Sequence, residues 1–267
     1  MDNRSIGVFD SGVGGLTAVK ELARILPHES IVYFGDTARV PYGSHSKETI
    51  IEFAKQDLSF LLKHNVKAIL IACGTVSSTS IDTLRGMSDI PIIGVIDAAA
   101  QVACCKAKQS VLVLATSATI SSHAYQNRIH QLNPTVQVEE KACPLFVPLI
   151  ENGFTDSHEL ITRLVVSEYV SEYKNRGIEA VILGCTHYPL IRKYIQEALP
   201  DAVMIEAGKE AARQMKTLLE QQDLLCSVTQ DGKREYYVSE ITESFVSTCE
   251  LFLGGKIQGE INIHRFD

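Results

Sequence analysis

Two thiols occupy corresponding places in this sequence, and their setting defines the chemistry open to them. Cys73-Gly74-Thr75 follows the apolar run Ala68-Ile69-Leu70-Ile71-Ala72, and Cys185-Thr186-His187 follows Ala180-Val181-Ile182-Leu183-Gly184. Runs that are apolar on both faces predict strands in the middle of a parallel sheet. Ligands of such sheets sit beyond the carboxyl ends of the strands, which is where each cysteine falls. Two thiols facing across a cleft suit the inversion of a carbon centre: a thiolate removes the proton from one face, and a thiol delivers a new one to the other. A free thiol titrates near about 8.5, so neighbouring charges bring either state within reach at neutral pH. Asp10 and His187 are the candidates for that tuning. A carbon acid α to a carboxylate is very weak, so donors must meet the negative charge as it builds up. Ser11, Thr75, Thr186 and the backbone N–H groups around them offer such donors.

Other uses of the same residues compete. A single cysteine is most simply a buried, inert thiol, but two at equivalent strand ends, each close to a small hydroxyl residue, reverse that reading. Zinc would take two thiols and a histidine, yet the chain offers neither a clear fourth ligand nor a Cys-x-x-Cys pair. A cysteine hydrolase would use Cys185 as nucleophile and His187 as base, leaving Cys73 without a task. The glycines of Asp10-Ser11-Gly12-Val13-Gly14-Gly15 lack the spacing of a dinucleotide fingerprint; an anion-binding nest and a plain tight turn both remain open there. Gly35-Asp36-Thr37-Ala38-Arg39-Val40-Pro41-Tyr42-Gly43-Ser44 is a dense polar loop, read in isolation as a turn. Cys104, Cys105, Cys143, Cys226 and Cys249 read as structural. With no signature for pyridoxal phosphate, nicotinamide or a metal, the chemistry is expected to need no cofactor.

The elements that must position these groups alternate along nearly the whole chain. Strands are predicted at Ser5–Phe9, Ser30–Phe34, Ala68–Ala72, Ile92–Val95, Ser110–Ala115, Val136–Lys141, Ala180–Leu183 and Val203–Glu206. Helices are predicted at Leu16–Ile25, Lys47–His64, Ser77–Arg85, Ala98–Lys106, His123–Leu132, Glu159–Lys174, Pro189–Ala198 and Lys209–Gln221. Such alternation specifies an α/β fold with mainly parallel sheets. The repeat extends beyond the cysteines, since Ser5–Phe9 leading into Asp10-Ser11-Gly12 resembles Ser110–Ala115 leading into Thr116-Ser117-Ala118. Two doubly wound domains of similar build, related by a pseudo-two-fold duplication, are therefore expected, with the active site in the cleft between them. Pro91–Asp97 is the expected crossing and Ala207-Gly208 the return. This gives a discontinuous first domain of residues 1–96 plus 209–267 and a second of 97–208. The segment after residue 209 is too short and polar to fold securely alone, and should pack back onto the first domain.

At 267 residues, 45% hydrophobic and 21% charged, the chain has the size and composition of a soluble two-domain enzyme. A net charge of −7 argues against non-specific nucleic-acid binding. No run approaches a membrane span, and no signal peptide is expected at Met1-Asp2-Asn3-Arg4. Seven cysteines without framework spacing point to free thiols in a reducing compartment, hence to the cytoplasm. A small-molecule substrate is the expected partner.

Taken in order, these motifs resemble a known family. Phe9-Asp10-Ser11-Gly12-Val13-Gly14-Gly15-Leu16, Pro41-Tyr42-Gly43, Ala72-Cys73 with Thr75, Cys143-Pro144-Leu145-Phe146-Val147-Pro148-Leu149-Ile150-Glu151 and Leu183-Gly184-Cys185-Thr186-His187-Tyr188-Pro189-Leu190-Ile191 resemble glutamate racemases of the aspartate/glutamate racemase superfamily. The resemblance implies that Cys73 and Cys185 are the acid/base pair, with Asp10 assisting Cys73, and His187 with Glu151 assisting Cys185. It implies substrate contacts at Asp10, Ser11, Pro41, Tyr42, Gly43, Gly74, Thr75, Thr186 and His187. It further implies a cofactor-independent glutamate racemase supplying D-glutamate for peptidoglycan, and a homodimer. Aspartate racemase is the nearest alternative, a non-catalytic binding protein a remote one. One position departs from the pattern: the family usually has asparagine where this chain has Gly74, which removes a side-chain amide from the substrate's reach.

Overall fold

In the computed structural model, two all-parallel sheets carry the cysteine turns on corresponding strands. The structure describes residues 1–266 apart from 156–158, 228 and 243–244. The chain begins with β1 (Ile6–Asp10), α1 (Leu16–Ile25), β2 (Ile31–Gly35), α2 (Lys47–Lys63), β3 (Ala68–Ile71), α3 (Gly74–Thr79), α4 (Ile81–Arg85) and β4 (Ile92–Gly94). Helix α5 (Val95–Lys106) then crosses to a second run: β5 (Ser110–Ala115), α6 (Ser117–Ser121), α7 (Ala124–Leu132), β6 (Gln137–Ala142), α8 (Phe146–Glu151), α9 (Glu159–Val170), β7 (Ala180–Leu183), α10 (Arg192–Ala198) and β8 (Val203–Glu206). Helix α11 (Ala207–Gln221) returns the chain to β9 (Arg234–Val238), α12 (Phe245–Leu253) and β10 (Glu260–Ile263).

The first sheet has the order β10-β9-β2-β1-β3-β4 and the second β6-β5-β7-β8. Removing β10 and β9 leaves second-first-third-fourth in both, so β1 corresponds to β5 and β3 to β7. Every recorded strand pair is parallel. The central strands β1, β3, β5 and β7 are buried throughout, as their apolar runs require. Period-two alternation divides β1: Ile6 and Val8 join a core cluster that reaches both sheets, while Phe9 faces a second cluster under α2.

Three local differences from the sequence expectation have physical causes. The helix after Cys73 begins at Gly74 and breaks at Ser80, where α3 gives way to α4. Ser78 and Thr79 both return hydroxyl bonds to the Thr75 carbonyl, the kind of side-chain competition that interrupts helices. The helix after Cys185 opens as a 3-10 turn over Tyr188–Ile191, with Pro189 in its first turn, before α10 starts at Arg192. The returning segment adds two strands, β9 beside β2 and β10 beside β9, which a half-exposed pattern such as Arg234-Glu235-Tyr236-Tyr237-Val238 does not announce.

Candidate active site

Because corresponding strands end at the same level, their terminal turns meet around one cavity of about 190 Å3. Ser11, Pro41, Tyr42, Gly43, Cys73, Gly74, Thr75, Glu151, Cys185, Thr186 and His187 all line it. Asp10, the last residue of β1, lies immediately beneath the Ser11 turn and is 1% exposed. Every residue expected from the sequence to take part in catalysis or substrate contact is thus at the cavity or directly behind it. Thr116 and Thr119 also line it. Thr116 was legible only as the counterpart of Asp10 at the end of β5; nothing in the sequence marks Thr119, a buried residue of α6.

The two thiols have different surroundings. Cys73 is buried and donates its S–H to Ser11 Oγ at 3.4 Å. Burial, reinforced by the Asp10 carboxyl nearby, pushes its thiol up to about 12, so it is protonated at neutral pH. Asp10 is itself held above the usual carboxylate range by burial, against the opposing pull of His187 and of backbone N–H groups from Gly15 and Gly12. One carboxyl oxygen accepts the Gly12 N–H at 3.1 Å, while the other, Oδ1, has no hydrogen-bond partner among the described residues.

Around Cys185 the arrangement is a relay. Its Sγ lies 3.8 Å from His187 Nδ1, and His187 Nε2 lies 2.9 Å from Glu151 Oε1. Burial alone would lower the histidine, but its hydrogen bonds with Cys185 and Glu151 prevail and raise it to about 10. The imidazole between sulfur and carboxylate is thus held toward its protonated form. Phe252 of α12 meets the ring edge-on, with centroids 4.9 Å apart. Glu151 comes from the end of α8, so that helix brings the carboxylate to a histidine 36 positions later in the chain.

Cross-sheet contacts close the cleft. Thr75 Oγ1 meets Thr116 Oγ1 at 3.2 Å, and Thr116 meets Thr119 at 3.0 Å. Thr17 of α1 donates to the Thr186 carbonyl at 3.1 Å. Gly14 has no room for a side chain, because a Cβ there would collide with Thr186 Oγ1 and stand 2.6 Å from the His187 ring. At Gly74 an added Cβ would collide with the Gly184 carbonyl oxygen. The close approach comes from the other sheet's turn, and the Gly74 backbone is not left-handed. Tyr42 directs its hydroxyl away from the cavity toward Asp36 and Asp57. Among the described residues no lysine or arginine lines the cavity, so an anionic substrate would rely on hydroxyls and backbone N–H groups. No three His, Cys, Asp or Glu side chains converge as a metal-binding set among the described residues.

Residues 7–215 match the Asp/Glu/Hydantoin racemase family. The chain belongs to that family. A glutamate racemase of Caldanaerobacter subterraneus is 44% identical over 96% of this chain and 96% of its own length. One from Geobacter metallireducens is 40% identical over 95% and 94% respectively. The crystal structure of the Francisella tularensis glutamate racemase in complex with D-glutamate superposes with a TM-score of 0.91 at 42% identity, covering 100% of this chain and 98% of that one. The racemase thus shares its overall fold with that crystal structure. Among its described residues no helix is long and apolar enough to cross a membrane.

Proposed function

We propose that this racemase interconverts L- and D-glutamate with Cys73 and Cys185 as a paired acid and base, without a cofactor. The observation that carries the reading is the convergence of both thiols on one cavity, each with its own proton-managing partner. An imidazolium beside a sulfur is the partner a thiolate needs, while Cys73 holds its proton beside Ser11. In one direction a thiolate at Cys185 takes the Cα proton and becomes a thiol. The Cys73 thiol gives its proton to the opposite face and becomes a thiolate, so each turnover leaves the pair ready for the reverse reaction. Ser11, Thr75, Thr116, Thr186 and nearby N–H groups would meet the charge that builds on the substrate carboxylate.

Glutamate is favoured over aspartate as substrate because the near-full-length relatives are named glutamate racemases. The same reading takes residues 1–96 plus 209–267 and 97–208 as the two domains, consistent with α5 and α11 being the links between the sheets. A cytoplasmic homodimer feeding peptidoglycan synthesis completes it, on the strength of the family resemblance. The test is incubation of each enantiomer of glutamate, then of aspartate, in D2O, followed by circular dichroism and NMR. Glutamate should lose optical activity and gain deuterium at Cα. No exchange, or a preference for aspartate, would overturn the assignment.

The Cys185–His187–Glu151 line also has the geometry of a nucleophile, base and orienting acid. A hydrolase built on it would tolerate the loss of Cys73. A Cys73→Ala chain that hydrolyses amides or esters without racemising glutamate would favour that reading.

A further inference from the structure

The polar loop after β2 contains a buried cluster that the racemisation scheme leaves unused. Asp36 and Asp57 are each 0% exposed. The Tyr42 hydroxyl is hydrogen-bonded to Asp36 and lies 3.0 Å from Asp57 Oδ2. Arg39 closes the cluster, bonded through Nε to Asp36 and through Nη2 to Asp57 Oδ1 at 3.3 Å. Its guanidinium is sandwiched between the Phe53 ring at 4.1 Å and the Phe266 ring at 4.6 Å. The returning segment adds Ser239, whose hydroxyl donates to Asp36 Oδ1 at 2.8 Å and accepts the Ala38 N–H at 2.8 Å. Thr37 exchanges two further bonds with the Glu240 backbone.

Two carboxyl groups buried together are a poor device for stability, since desolvation costs about as much as pairing returns and apolar replacements often do as well. The cluster does, however, fix one side chain of the cavity wall. Tyr42 lies between Pro41 and Gly43, and all three line the cavity beside Cys73. The Asp36 N–H also donates to the Asp10 carbonyl at 3.1 Å, which ties the start of the loop to the strand end beneath Ser11.

We propose that Asp57 and Asp36 are positioning residues for the reaction, acting through the Tyr42 hydroxyl to hold the Pro41–Gly43 turn against the substrate. Proton bookkeeping fits a directed chain. A single hydroxyl proton cannot satisfy two carboxylates, and burial together with the neighbouring Asp36 pushes Asp57 well above the usual carboxylate range. Asp57 therefore keeps its proton and donates to the Tyr42 oxygen, and Tyr42 donates to Asp36. Arg39 and Ser239 supply the remaining donors to Asp36. An amide at position 57 would donate equally well; an alkyl side chain would not.

This inference rests on the glutamate reading, and its test separates the two. Turnover by the unaltered chain checks that reading first. Tyr42→Phe, Asp57→Leu and Asp57→Asn are then compared in three measurements: steady-state kinetics with both enantiomers, melting temperature, and hydrogen–deuterium exchange of residues 40–45. Tyr42→Phe and Asp57→Leu should raise KM about tenfold with kcat within about threefold, the pattern of lost binding rather than lost chemistry. Amides of residues 42–45 should exchange about tenfold faster, at the scale of one hydrogen bond. Asp57→Asn should keep a KM close to that of the unaltered chain. Unchanged KM and exchange in the Tyr42→Phe chain would overturn the proposal, as would a loss confined to kcat or to melting temperature. If the unaltered chain does not turn glutamate over, the functional reading fails and loop exchange alone decides whether the tether exists.

Discussion

Cys73 and Cys185 carry the same side chain yet differ in how the protein manages their protons. Cys73 is surrounded by burial and a carboxyl, both of which favour the neutral thiol; Cys185 has an imidazole whose proton is held by a hydrogen-bonded relay. If both act on Cα, neither can replace the other. Cys73→Ala and Cys185→Ala should each lower kcat by at least about 10²–10⁴-fold, the usual worth of a general acid or base. Steady-state racemisation checks this, and near-normal turnover by either variant would remove the two-base scheme. The histidine also leaves a signature in stability. Its pKa rises from 6.5 to about 10 on folding, so the folded chain binds the proton more tightly than the unfolded one. That contribution is fully present below about 6.5 and is lost as pH rises through about 10. Melting temperature should therefore fall across this interval, and Glu151→Gln should flatten the decline by removing one of the bonds that sustain the shift. A Glu151→Gln profile parallel to that of the unaltered chain would show that the carboxylate does not hold the proton on His187.

At the scale of elements, the site is made by strand ends, and strand ends were legible because β1, β3, β5 and β7 are buried on both faces and read as unbroken apolar runs. Their chemistry-bearing turns could be placed without knowing the helices. Less was legible where structure depends on distant partners. The helix break at Ser80 accompanies hydroxyls returning to Thr75, while β9 depends on the edge that β2 presents and β10 on the edge of β9. Asp36 and Arg39 were visible as a polar loop, but their partners Asp57, Ser239 and Phe266 lie far along the chain. Gly74 illustrates both sides. The resemblance pointed to the missing asparagine side chain, whereas the Gly184 carbonyl that crowds the first turn of α3 belongs to the other sheet and could not be placed from the sequence. Gly74→Asn should therefore lower kcat rather than tighten binding, because the new Cβ must displace either the Cys73 turn or the Gly184 turn. Kinetics with both enantiomers would show it, and a lower KM with kcat intact would mean that the backbone yields without cost.

At the scale of the whole molecule, the two sheets are linked by α5 and α11 and share one apolar core cluster, and the proposed reaction further needs their turns held together across the cleft. At the cleft itself the contacts are small ones: hydroxyls of Thr75, Thr116 and Thr119, the Thr17 bond to the Thr186 carbonyl, and glycines at positions 14 and 74. Gly14 is the most revealing, since it sits in the turn after β1 and its missing side chain is what admits Thr186 and the His187 ring. A methyl group there meets those two groups rather than open solvent. Because protein interiors are close-packed, such an overlap moves the lining rather than vanishing. Gly14→Ala is expected to push the Cys185 turn away from the Cys73 turn while leaving the apolar core that the two sheets share intact, since Thr186 and His187 lie outside it. A displacement on the order of 1 Å is enough to cost about 10²-fold when reacting groups must be aligned, so kcat should fall by roughly that factor. The melting temperature should drop much less than for a substitution inside that core. A crystal structure of the variant should show the Cys185 turn displaced from the Cys73 turn, and a saturating substrate should partly reverse the displacement. An unchanged separation of the two turns together with unchanged kcat would mean that the turns are not held at the contact distance seen here, and that the cleft sets its own width only when substrate is bound.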